Sequence, residues 1–274
     1  MNYTVTRTVE DGIERVVYSP TYRRFETPLL LQHGMWHGAW CWQYWQELFA
    51  EWGWESHAHS LPGHGQSPAQ RPIRWCTLNY YFECLMSEIK RLPRRPVLMG
   101  HSMGGALTQW YFRYVSNRDL PAAVLVAPWH SHDMHPAIAR AMQEDPWGAV
   151  LGWLSFSATP AVRTPQVAFN WFLTEGAVLT PQELHAKLGP ESGLVLLQYT
   201  PPLWKPADKV HFPLLVLGAE RDRATDEPSV RATAAYYGAD YFMVPEAGHD
   251  LMLEKSYRQT AQMIHDWLVK QSIA

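Results

Sequence analysis

With 274 residues, 47% of them hydrophobic, the chain is long enough to bury a large core, as one domain or one domain with an insertion. A formal net charge of −3 and the lack of any basic cluster exclude the electrostatic footprint of a nucleic-acid or anionic-membrane binder. Apolar runs such as AAVLVAP and PLLVLG stop far short of the roughly 20 residues that span a bilayer. The N-terminus lacks the apolar stretch of a signal peptide. Three cysteines (Cys41, Cys76 and Cys84) form an odd, sparse set without C-x-x-C spacing, so a reduced, cytoplasmic setting is expected.

The chain opens as a β-hairpin: alternating YTVTRTV, a turn at Asp11-Gly12, then IERVVY. Residues 28–34, PLLLQHG, predict a short buried strand that stops at Gly34. Trp45, Leu48, Phe49 and Trp52 then fall at i, i+3, i+4 and i+7, one apolar helix face closed by Gly53. A further strand ends near Ser60, ahead of the loop LPGHGQS. Leu78, Phe82, Leu85, Ile89 and Leu92 stripe another helix, and Pro96 precedes VLMG, a strand that runs into a glycine-flanked serine. Leu107, Trp110, Tyr111 and Tyr114 keep helical spacing after it. Strand-like runs follow at 122–127, 213–218 and 239–244, and a last helix carries Tyr257, Ala261, Ile264 and Leu268 on one side.

Apolar strands alternating with amphipathic helices predict an α/β fold, a mostly parallel sheet covered on both faces. One connection is abnormal: about 85 residues separate the strands at 122–127 and 213–218, several times an ordinary crossover. It holds Trp147, Trp153, Phe156, Phe169, Trp171, Phe172 and Trp204 among many prolines. It is expected to form a helical cap over approximately 130–208, inserted over one end of the sheet in a single domain spanning 1–274.

A serine hydroxyl is a poor nucleophile until a base takes its proton. Gly100-His101-Ser102-Met103-Gly104 has the G-x-S-x-G pattern of a sharp strand-to-helix turn that exposes Oγ and crowds the residues two before and two after. The helix N-terminus adds partial positive charge and free N–H groups beside Ser102. The pentapeptide alone is a weak signal; the apolar strand before it and the amphipathic helix after it supply the required context. The partners must follow in the order acid, then histidine. VLGAERDRATD leaves a buried strand at Gly218 and reaches Asp222, and FMVPEAGHDLMLE leaves the next strand and presents His249. Both positions follow strand ends, where parallel sheets gather ligand-binding groups. Asp226 competes for the acid role but stands just before Pro228, where an N-cap aspartate is expected, so Asp222 is preferred.

On these residues the sequence resembles the α/β-hydrolase fold family, and within it the small esterases of the plant methylesterase and hydroxynitrile lyase type. The resemblance covers nearly the whole chain and is strongest at LLLQHGMWHGAWCW, LPGHGQS, GHSMGG, GAERD and GHD. In that family the residue after the first His-Gly and the residue after the nucleophile donate backbone N–H groups to the oxyanion, which implies an oxyanion hole at Met35 and Met103. Preorganised donors of this kind are each worth about 3 kcal/mol. Hydroxynitrile lyases of this type carry threonine where Gly34 stands and lysine where Asp250 follows the histidine, so the resemblance disfavours cyanohydrin cleavage. Epoxide hydrolases and haloalkane dehalogenases need an aspartate at the elbow, which Ser102 excludes.

Other signals carry less. HSHDMH at 130–135 resembles the H-x-H-x-D-H signature of metallo-β-lactamase-type hydrolases, but its aspartate, Asp133, falls one place early and no later ligands complete a zinc site. A polar approach to the cap is the plainer reading. No lysine follows LPGHGQS, so it reads as a structural loop and not a phosphate cradle. Trp40, Trp42, Trp45 and Trp52 read as core or helix-face residues, whereas Trp36, one residue past Met35, fits pocket lining and core packing equally. His37 is expected to hold the loop that carries Met35. The expectation is a serine hydrolase without cofactor or metal, using Ser102, His249 and Asp222 on a small-molecule apolar ester. A thioester, a lipid ester or a C–C bond beside a carbonyl would suit the same machinery, and a small-molecule receptor on the same fold is the alternative of another class.

Overall fold

The computed structural model describes residues 2–132 and 134–274. Positive φ at Asp11 (55°) and Gly12 (72°) folds β1 (Tyr3–Glu10) back on β2 (Ile13–Pro20) in a tight hairpin. β3 (Leu29–Gln32), β4 (Ser56–Ser60), β5 (Val97–His101), β6 (Ala123–Val126), β7 (Leu214–Ala219) and β8 (Asp240–Val244) complete one sheet in the order β1-β2-β4-β3-β5-β6-β7-β8. From β4 to β8 every neighbour is parallel, and the hairpin adds its two antiparallel strands at one edge. Apart from β4, of which the sequence marks only the end, the strands begin and end within two residues of the runs read from sequence.

The central strands β3, β5, β6 and β7 are buried throughout because helices cover both faces. Strand side chains alternate between two cores. Val97, Met99, Val124, Val126, Leu215 and Leu217 face the first, where α1 (Gln43–Trp52) and α10 (Tyr257–Lys270) bring Trp45, Phe49, Ile264 and Leu268. Leu98, Ala123, Leu125, Leu214 and Val216 face the second, against α2 (Leu78–Arg91), α3 (Met103–Tyr114) and α9 (Glu227–Tyr237). α1 stops at Gly53 with φ 99°, and α2 starts at Thr77, whose side chain accepts the Tyr80 N–H. Tyr114, on the apolar stripe predicted for α3, is exposed at its last turn.

Between β6 and β7 run α4 (His135–Glu144), α5 (Pro146–Ser155), α6 (Pro165–Phe172), α7 (Pro181–Lys187) and α8 (Leu194–Gln198). Proline at the first turn starts each of α4 to α7, where its missing N–H costs no hydrogen bond. The aromatic residues of this connection divide. Phe172 and Trp204 are buried, whereas Trp147 and Trp153 on α5 are 76% and 79% exposed. From Pro146 to Leu154 α5 carries no polar side chain, so no orientation buries all of it. No helix among the described residues is long and apolar enough to cross a membrane.

The turn from β5 into α3 is closely packed. A Cβ on Gly100 would sit 2.3 Å from the Gly104 carbonyl oxygen and 2.4 Å from Thr108 Oγ1, and backbone cannot yield as a flexible side chain can. Gly100→Ala is therefore expected to cost at least the roughly 1–3 kcal/mol typical of overpacking, measured as a fall in the urea unfolding midpoint.

Candidate active site

The site begins at Ser102. Its φ of 54° and ψ of −119° place a non-glycine residue in a sparsely populated conformation, as the residue that caps α3. Hydrogen bonds hold it there: the Ser102 N–H donates to the Val126 carbonyl (3.1 Å), and its own carbonyl accepts from Gly105, Ala106 and Trp129. Met103 is the first helical residue, so its N–H has no partner within the helix.

β3 ends beside this turn. A Cβ on Gly34 would meet Ser102 Cβ at 2.7 Å, so the chain cannot hold a threonine there without moving the elbow. His33 Nδ1 donates to the Gly34 carbonyl (2.7 Å) and its Nε2 accepts the Leu61 N–H (3.0 Å). Carbonyl and N–H point oppositely across a trans peptide, so this bond also sets the direction of the Met35 N–H. The next residue, Trp36, has φ 61°. Its indole N–H donates to the Ala158 carbonyl (3.2 Å), and its carbonyl accepts from Gly189 (2.7 Å), so the turn after β3 is tied to the β6–β7 connection twice. His37 Nδ1 holds the Met35 carbonyl at 2.6 Å, the structural part expected of it.

The loop after β7 supplies Asp222, and the loop after β8 supplies His249. Asp222 Oδ2 faces His249 Nδ1 at 2.8 Å. The remaining capacity of the carboxylate is taken by the N–H groups of Ala224 and Thr225 (2.8 Å each) and by the Thr225 hydroxyl (2.9 Å). Both oxygens of the buried carboxylate are thus supplied with hydrogen-bond donors. Burial alone would depress the His249 pKa. The charge and hydrogen bond of Asp222, with a smaller contribution from Asp250, outweigh it and raise the imidazole above its ordinary 6.5.

Asp226, the competing acid, lies elsewhere. It caps α9, accepting from the Ser229 N–H at 3.0 Å, and its charge faces His130 (3.7 Å) and Arg140 (3.9 Å). Of the residues at 130–135, His130 is buried against that aspartate, His132 is exposed with its ring edge-on to Tyr236, and Asp133 lies outside the described residues. Among the described residues, a group able to offer metal ligands is His101, His249 and Asp250, with ligand atoms within 4.8 Å of one another. His101 Nε2 faces the His249 carbonyl oxygen at 3.2 Å, however, so that nitrogen carries a proton and offers no lone pair.

Ser102, His249, Met35, Trp36 and Thr225 all line one cavity of about 890 Å³. The rest of its wall is almost wholly apolar and comes largely from the β6–β7 connection, including Trp153, Phe156, Trp171 and Phe172. Phe169 packs into the first core instead. Met103 places its side chain in the second core, and only its backbone bears on the site.

The residues matched by the family model, 29–263, take in every strand of the parallel sheet and both loops just described, and the model is that of the alpha/beta hydrolase family. The chain belongs to that family. Over 126 residues it is 29% identical to a pheophorbidase of Raphanus sativus, a match spanning 44% of this chain and 48% of that protein. Among solved structures, an esterase of Thermogutta terrifontis superposes with a TM-score of 0.70 at 18% identity, covering 98% of this chain and 99% of the esterase. A soluble variant of the Saccharomyces cerevisiae monoglyceride lipase gives 0.70 at 15%, covering 99% and 97%. At these identities the superpositions speak for the fold.

Thr225 and Glu254 escape the sequence reading. Glu254 is buried beneath the His249 loop, where one carboxylate oxygen accepts from the N–H groups of Gly248 (2.9 Å) and Thr174 (2.8 Å) and the other from the Thr174 hydroxyl (2.6 Å). Thr225 had a faint local signal, because aspartate commonly binds N–H groups two and three residues on. Glu254 had none, since its partner Thr174 is 80 residues away. The assignment of Asp226 as a cap is open to measurement. Asp226→Ala is expected to lower stability by about 1 kcal/mol, read from the urea midpoint with no change in m-value.

Proposed function

We propose that this protein is a serine hydrolase that cleaves a carboxylic ester with an apolar acyl or alcohol part through an acyl-enzyme. One observation carries the reading: a serine in a strained left-handed turn and a histidine bonded to a buried aspartate open onto the same apolar cavity. Ser102 Oγ attacks the carbonyl carbon as His249 takes its proton through Nε2. Asp222 holds the Nδ1–H and stabilises the imidazolium that forms. The Met35 and Met103 N–H groups receive the oxyanion, and His249 returns the proton to the departing alkoxide. Water activated by the same imidazole then releases the acid. The machinery is complete without a metal or an organic cofactor. The segment at 130–208 acts as a cap that excludes water and shapes the acyl pocket. That the structurally similar proteins include an esterase and a monoglyceride lipase agrees with this reading.

Ser102→Ala is expected to abolish labelling by a fluorophosphonate probe and to reduce p-nitrophenyl ester hydrolysis to a few per cent or less, with the melting temperature nearly unchanged. A folded wild-type protein that the probe fails to label would favour the receptor reading. Asp222→Asn is expected to cost several orders of magnitude, by analogy with the roughly 10⁴-fold loss for the serine-protease aspartate, and Asp226→Asn under about tenfold.

The base must be neutral to accept a proton, and its pKa is raised. Wild-type kcat/KM should therefore fall as pH drops through a midpoint above 6.5. With Asp222→Asn the main cause of the rise is removed and burial remains, so the midpoint of the residual activity moves to lower pH.

Each methylene buried in the cavity contributes about 0.8 kcal/mol, or roughly fourfold in kcat/KM. Rates across p-nitrophenyl esters should rise from acetyl to medium-length acyl groups and then level off. Trp36→Ala should flatten that rise more than it slows the acetate ester.

A further inference from the structure

Behind the cavity lie three fully or almost fully buried polar side chains that the proposed reaction does not use: His37, His101 and Asp250. His37 Nδ1 is 2.6 Å from the Met35 carbonyl oxygen, an atom that only accepts, so Nδ1 carries a proton. Its Nε2 is 2.9 Å from Asp250 Oδ2. Both ring nitrogens thus face oxygens, and His37 bridges the Met35 carbonyl and the Asp250 carboxylate by two short hydrogen bonds. The other carboxylate oxygen, Oδ1, lies 3.5 Å from His101 Nε2, which also faces the His249 carbonyl at 3.2 Å. The Asp250 N–H donates to the Phe172 carbonyl at 2.9 Å. Trp40 stacks on the His37 ring and Phe172 meets its edge.

These bonds join two loops that are far apart in sequence. The turn after β3 carries Met35, with Trp36 held at positive φ. The loop after β8 carries His249. Asp250 directly follows the base, and its carboxylate reaches across to the histidine that holds the Met35 carbonyl. We infer that Asp250 is a positioning residue, fixing through His37 the distance between the oxyanion donor at Met35 and the base at His249. The inference rests on the serine-hydrolase reading, because it assigns Asp250 an effect on the rate of that reaction. It also gives the aspartate of GHD a place in the chemistry beyond its contrast with the lysine of hydroxynitrile lyases.

Two variants of similar shape separate the tie from mere packing. In Asp250→Asn the amide N–H donates to His37 Nε2, and the tie persists. In Asp250→Leu it is lost with little change in volume. Active sites are counted by fluorophosphonate titration, and kcat and KM for p-nitrophenyl butyrate are expressed per titrated site. The expected result is a kcat within about fivefold of wild type for Asp250→Asn and a loss of at least about thirtyfold for Asp250→Leu, with KM changed less than about threefold in both. His37→Leu, which cuts the same bond from the other end, should match Asp250→Leu, and the double variant should be no worse than either single one. If Asp250→Leu does not fold, His37→Leu is compared with Asp250→Asn in its place. Equal kcat per site in the leucine and asparagine variants, or losses that multiply in the double variant, would overturn the inference while leaving the hydrolase reading intact. A wild-type protein that neither labels nor hydrolyses would overturn both.

Discussion

The structure turns on one strained residue. Ser102 must leave a central strand, reverse through positive φ and start a helix within a single position. A left-handed non-glycine residue of this kind costs of order 1–3 kcal/mol and persists only when its surroundings over-determine it. Here they do. The N–H of Ser102 is fastened to β6, its carbonyl receives three N–H groups, and glycines on either side let β3 and α3 close in around it. Ser102 thereby lines the same cavity as Thr225 and His249, from the loops after β7 and β8.

The second constraint is the cost of burying charge. Asp222, Asp250 and Glu254 are all almost inaccessible to water, and each lies within a few ångströms of donors. A bare carboxylate at such depth would take up a proton or unfold its surroundings. Supplied with N–H and O–H partners, the three acids act as fasteners between loops. Asp222 holds the imidazole, Glu254 holds the backbone just before it, and Asp250 reaches the turn after β3. Burial and partner charge act in opposite directions on the histidines. His249, beside Asp222, is raised, whereas the buried His33 and His101 are pushed well below the usual range and remain neutral hydrogen-bonding rings.

The parts legible in sequence share a physical cause. β3, β5, β6 and β7 are buried on both faces, so they appear as short unbroken apolar runs, and α1 and α10 show the stripe of a helix covered on one side. Ser102 could be singled out because it stands directly after such a run, and Asp222 and His249 because they lie in the loops that follow the last two strands. β4 was harder to delimit, because SHAHS lies buried among polar partners and has no apolar signature. The division of the β6–β7 connection into helices was not legible either. Its apolar residues face a cavity, a core and solvent in turn, so no single period dominates. The partners of the buried acids were hidden for another reason. His37 and Asp250 are 213 positions apart, and only the folded sheet brings them together.

Glu191 shows what this means for the connection as a whole. Its fully buried carboxylate takes a hydrogen bond from the Tyr81 hydroxyl at 3.0 Å and meets His64 Nε2 at 3.1 Å, both from the body of the fold, and Ser192 adds its own N–H. The segment between β6 and β7 is therefore not an interchangeable module, although it reads as an insertion. Transplanting a relative's segment in its place without a carboxylate at this point would strand a phenol and an imidazole inside the core. The exchangeable unit includes the LPGHGQS loop and the start of α2, and chimaeras cut at the strand ends alone would inherit a defect at a contact that neither strand end contains.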